Sequence, residues 1–128
     1  MHKNLTITSF LGLLVIVFGA FGAHALKKVL SIDEINSFET AVRYQMYHVI
    51  ILLFVNTYTG FTSKVKKHIS WSFFIGILLF SGSIYLMHLT SISAKQIWFI
   101  TPLGGLTFVY GWFIMAIKFL KSKSTIKS

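Results

Sequence analysis

The chain has 128 residues, 55% of them apolar and 12% charged, about half the charged share of an ordinary soluble domain, and its mean hydropathy is +0.74. One domain whose main solvent is lipid fits those figures. The absence of cysteine excludes a disulfide framework, a thiolate metal site and a cysteine nucleophile, and three acidic residues with one proline argue against an acidic metal cage or a disordered chain. The net charge of +9 comes from lysines and one arginine at the edges of apolar runs. That pattern marks membrane boundaries and excludes a nucleic-acid face.

Four stretches carry no Asp, Glu, Lys or Arg for long enough to cross a bilayer: residues 4–26, 44–63, 68–94 and 96–117. About 20 helical residues match a hydrocarbon core of roughly 30 Å. Runs such as Leu13-Leu14-Val15-Ile16-Val17-Phe18 do not alternate, so barrel strands are excluded. The expected fold is all-α: a four-transmembrane-helix bundle with a short amphipathic helical segment before the second crossing. Helices are expected at about 4–26, 32–63 including that lead-in, 69–90 and 94–120, followed by a basic cytoplasmic tail over 121–128.

In the first segment, Ala23-His24-Ala25 fits a signal-peptidase pattern, but the apolar run is longer than an h-region, so a retained helix is the reading. Ser31 and Glu34 form a capping-box signature, and Ile35, Phe38 and Val42 follow at helical spacing. No Gly or Pro divides this stretch from the second crossing. Either one helix runs from about residue 32 to 62, or a short interfacial helix bends into it. Glu39 and Arg43, four apart, form a supporting ion pair. The last helix has two candidate starts: Ser93 with Gln96, or Thr101 capping a first turn that holds Pro102.

Small residues recur one heptad apart, Gly12 with Gly19, Gly76 with Ser83 and Gly104 with Gly111, and Gly22, Gly82 and Gly105 lie beside them. These are helix-packing positions that let backbones approach. Counting lysines and arginines in alternate loops puts eight on the side of both termini and four on the other, so both termini are expected in the cytoplasm. On that topology His24, Gln45, His48, Ser83, Tyr85 and Thr101 come from four helices to the extracytoplasmic end, as ligand-binding candidates. Asn56 and Thr57 lie mid-helix and deeper, where an isolated Asn glues helices or specifies an oligomer.

Several motifs carry a resemblance. Gly19-Ala20-Phe21-Gly22-Ala23-His24-Ala25-Leu26, then Thr40-Ala41-Val42-Arg43-Tyr44-Gln45-Met46-Tyr47-His48, then Phe80-Ser81-Gly82-Ser83-Ile84-Tyr85-Leu86, Thr101-Pro102-Leu103-Gly104-Gly105 and Gly111-Trp112 stand in order along nearly the whole chain. Together they resemble the small membrane proteins grouped as domain of unknown function 423, or transmembrane protein 256-like. His88 stands outside these motifs. The resemblance implies a four-helix protein of the bacterial cytoplasmic membrane and no established reaction.

Three functions compete. The first is binding of a small polar or lipid-like ligand in the polar layer, with membrane lipids as surroundings; transport would call for a homo-oligomer. On this reading His48→Leu abolishes ligand retention. The second is an accessory or assembly subunit without a ligand of its own. The third is a haem- or metal-dependent enzyme using His24 and His48, disfavoured because no two histidines share a helix at ligand spacing. No cofactor and no metal site are expected.

Overall fold

A computed structural model describes residues 2–125. Every regular element among them is helical. Four long helices run α1 (His2–Leu26), α2 (Ile32–Thr57), α3 (Ser63–Leu89) and α4 (Ile100–Thr125), with a single turn at Ala94–Ile97 before the last. Of the expected tail over 121–128, Lys127 and its two neighbours lie outside the described residues.

Among the described residues three helices are long and apolar enough to cross a membrane: α1, α3 and the stretch Ile100–Ser122 of α4. The second expected crossing is the exception. At 26 residues α2 is long enough, but Arg43, Gln45, His48 and Asn56 dilute its hydropathy. Burial compensates, because Gln45, His48 and Asn56 all turn inward. The outer surfaces of all four helices are apolar, with Phe10, Ile16, Ile50, Leu53, Leu78, Leu106 and Phe113 all exposed. In water such a surface is a liability; in a bilayer it is the solvated one.

Local chemistry sets the ends. Ser31 Oγ accepts from Glu34 N at 3.2 Å and Glu34 Oε2 accepts from Ser31 N at 2.8 Å, so the capping box starts α2 without a bend. The helix stops at Thr57, six residues before the expected end. Tyr58 turns extended, its ring stacks on Phe54 and meets the buried Phe61, and Thr62 then caps α3 by accepting from Val65 N at 3.3 Å. The helix α3 therefore begins at Ser63 rather than 69.

Neither candidate cap opens the last helix: Ser93 caps a separate turn at Ala94–Ile97, and the helix itself starts at Ile100. Gln96 Oε1 accepts from Ser93 N at 3.1 Å at the isolated turn, and α4 proper begins at Ile100 with Pro102 in its first turn. Thr101 lies inside that helix and does not cap it.

The core lies among α2, α3 and α4, where Leu52, Val55, Ile69, Phe73, Ile77, Phe108 and Met115 pack together. α1 packs mainly on α2, in an antiparallel register that sets Gly12 against Val49, Gly19 against Val42 and Gly22 against Phe38. The four helices thus form a three-helix core with α1 laid along one side. A cleft remains between α1 and α3.

Candidate functional site

That cleft has a volume of about 890 Å³, within the range of small-molecule sites. Leu11, Leu14 and Phe18 of α1 form one wall and Phe74, Ile77 and Leu78 of α3 the other, with Gln45 and Tyr85 at one end. Lys3, Lys66 and Lys67 stand at the opposite end.

Gln45 is the joint of the upper end. Its Nε2 donates to the Leu11 carbonyl at 2.8 Å, and its Oε1 accepts from the Tyr85 hydroxyl at 2.7 Å. One α2 side chain therefore ties α1 to α3. Primary amides carry two N–H donors and two lone pairs on oxygen, so Gln45 keeps one of each beyond these bonds. Phe18 and Phe38 pack their rings on Tyr85 with centroids 4.7 and 5.4 Å away. They fix the phenol against the amide.

Two features here have no signature in composition. α1 passes through a π-helical turn at Phe18–Gly22, and α3 through another at Ile77–Ser81. Both flank the Gln45–Tyr85 end, and such single π-turns recur at functional sites. The second one brings Ser81 Oγ to the Ala41 carbonyl of α2 at 2.7 Å. Glycine and serine in these stretches were the only legible hint.

The remaining sequence candidates divide. Ser83 and Thr101 share a short hydroxyl–hydroxyl bond between α3 and α4, and Ser83 Oγ also lies 2.9 Å from the Phe80 carbonyl. His48 faces away from the cleft into the core. Its ring stacks on Phe108 at 3.6 Å, and Trp112 Nε1 donates to His48 Nε2 at 3.1 Å. The other nitrogen must then carry the proton and donate to the Tyr44 carbonyl at 2.7 Å. Both nitrogens are used.

His24 is exposed. The α1–α2 register puts it about a dozen residues, roughly 18 Å, along the axis from the level of His48, so the two rings cannot share one metal. No group of three or more potential ligands exists among the described residues. Glu39 and Arg43 pair at 3.9 Å on the exposed side of α2, and Arg43 also donates to Thr40 Oγ1 at 3.1 Å. Buried His88 Nε2 has no hydrogen-bond partner among the described residues.

The glycines also divide. A Cβ at Gly104 would meet the backbone of Phe80 at 2.3 Å, and one at Gly76 or Gly111 would meet the Phe108 or Phe73 ring at 2.4–2.5 Å. Those three seat α3 on α4. Gly105 has nothing within 4 Å, and Gly82 has only ordinary contacts and lines the cleft.

The sequence missed the opposite end of the cleft. Asn56 Nδ2 donates to the Leu52 carbonyl at 2.9 Å and to Ser70 Oγ at 2.8 Å, while its Oδ1 accepts from Asn4 Nδ2 at 3.1 Å. Asn56 glues helices, as expected of it, and does so beside the lysines.

Comparison with known proteins is consistent with this picture. Residues 18–105 match the family described as protein of unknown function, DUF423. A UPF0382 membrane protein of Staphylococcus saprophyticus is 43% identical over 77% of this chain and 81% of its own length. One from Haemophilus influenzae is 37% identical over 96% of this chain and 98% of its own. The UPF0382 inner membrane protein YgdD of Escherichia coli K12 is 32% identical over 88% and 85%. No solved structure matches the chain.

Proposed function

The chain belongs to the DUF423 family of membrane proteins, and from that premise we propose that it binds an amphipathic, lipid-like molecule lengthwise in the α1–α3 cleft. The observation that carries this reading is the cleft itself, open between two apolar helices, with the Gln45–Tyr85 pair on its wall. The spare amide N–H of Gln45 is the group offered to a ligand's ester, carbonyl or hydroxyl oxygen. An unspent donor in hydrocarbon is costly.

The reading takes all four long helices as crossings, with both termini on the cytoplasmic face of a bacterial cell membrane. Support comes from the lysine distribution and from relatives named inner membrane proteins. α2 crosses sheltered by the others.

A second reading, an accessory subunit with no ligand, is favoured by the pairing of His48, Ser81, Ser83 and Thr101 within the protein. The donors of these groups are spent within the protein, and small-residue seams suit docking on another membrane protein. Native mass spectrometry from mild detergent separates the two. The expected result is a retained lipid-like mass that Gly82→Leu removes, since a side chain at Gly82 has room to grow and enters the cleft. A wild-type protein with no retained mass, or a mass that survives Gly82→Leu, overturns the cleft reading.

A further inference from the structure

We propose that the lysine end of the cleft is a headgroup site for an anionic phospholipid, whose acyl chain lies along the cleft; this rests on the cleft being the ligand site. Lys3 comes from the start of α1, and Lys66 and Lys67 from the first turns of α3, yet all three line one mouth, with Asn4 and Ser63 beside them. Lys64, in the same basic run, does not line it.

The charge there is uncompensated. All three acidic residues of the chain fall between positions 33 and 39, at the far end of α2, and the one ion pair among the described residues is Glu39–Arg43. Lys66 Nζ donates to the Asn56 carbonyl at 3.4 Å, which leaves two of its three N–H groups. That carbonyl belongs to the last turn of α2, where orphan acceptors favour a cation. The Asn4–Asn56–Ser70 chain of bonds holds α1, α2 and α3 together at this level. The mouth is therefore built.

A phosphate would take charge-assisted bonds from the lysines, and a choline headgroup, which carries the same phosphate, adds a quaternary ammonium beside these like charges, so the net-anionic headgroup is the one favoured. Beyond them the walls become apolar. From Lys3 to Phe18 is fifteen helical residues, about 22 Å, more than the roughly 15 Å from one surface of the hydrocarbon core to its midplane. An acyl chain anchored at the lysines therefore lies wholly along the apolar walls of the cleft and stops short of the Gln45–Tyr85 end.

The test compares phosphatidylglycerol with phosphatidylcholine of identical acyl chains, offered in equal amounts to the full chain in mild detergent and read by native mass spectrometry. The expected wild-type preference for phosphatidylglycerol is at least about tenfold, from lysines worth about 1 kcal/mol each. The triple variant Lys3→Gln, Lys66→Gln, Lys67→Gln reduces it to within about twofold, and Lys27→Gln, Lys28→Gln, Lys95→Gln, equal in charge lost, leaves it intact. Excess inorganic phosphate does not displace the lipid.

Equal retention of both lipids by the wild type overturns the headgroup site, and that result needs no variant to fold. Loss of preference in the second triple as well overturns it too, assigning the effect to overall charge. Displacement by inorganic phosphate overturns the lipid as its source. Retention of neither lipid is the different failure, that of the cleft reading.

Discussion

The Tyr85 hydroxyl and the Gln45 amide oxygen are 2.7 Å apart across the α2–α3 boundary, and the same amide holds the Leu11 carbonyl of α1. One side chain thus sets the spacing of the two helices that wall the cleft. Replacing Gln45 by Leu removes both ties. The expected cost is about 1–2 kcal/mol, with Tyr85→Phe near the smaller loss of a single interhelical bond, about 0.6 kcal/mol. Denaturant titration in detergent measures both, and a Gln45→Leu protein as stable as the wild type would remove these bonds from the fold.

His48 leads to a different expectation from the one its sequence position suggested. Its ring lies between Phe73, Phe108 and Trp112 and does not line the cleft. His48→Leu strands the Trp112 indole N–H and is expected to destabilise by about 1–3 kcal/mol, shifting Trp112 fluorescence. Ligand retention is expected to persist in the folded fraction. Its loss at unchanged stability would return His48 to the ligand site.

Adjacent glycines offer a matched pair. Gly104→Ala forces a methyl group into the Leu79–Phe80 backbone, which cannot move as a flexible side chain can, and overpacking of this kind costs about 1–3 kcal/mol. Gly105→Ala meets nothing and gains up to about 1 kcal/mol of helix propensity. Thermal unfolding of the two variants should therefore move in opposite directions. Equal shifts would mean that α4 is rotated relative to α3.

Whether α2 crosses the membrane is open to direct measurement, because the chain has no native cysteine. Lys28→Cys and Lys64→Cys, at the two ends of α2, are expected to react with a membrane-impermeant thiol reagent from opposite faces of sealed vesicles. Labelling of both from one face would mean that α2 does not span.

Much of the architecture was legible because it depends on local pattern. The charge-free runs located the long helices, the Ser31–Glu34 spacing fixed the start of α2, and the ordered motifs pointed to the family. Asn56 also read correctly as glue between helices, although it lies in the last turn of α2 and not at mid-helix. Local pattern misplaced the α2–α3 turn, where Tyr58 and Phe61 pack and Thr62 caps the next helix. It also gathered His24, Gln45 and His48 into one layer.

What the sequence alone determined is immersion in lipid and the helical state, since both follow from the solvation of each segment by itself. Which polar groups meet was decided by the tertiary structure. Rotation of α2 about its axis turns His48 towards α4 and Gln45 towards the cleft, and register separates His24 from both. Rotation and register are set by glycine contacts and π-turns acting between helices, so no single segment encodes them.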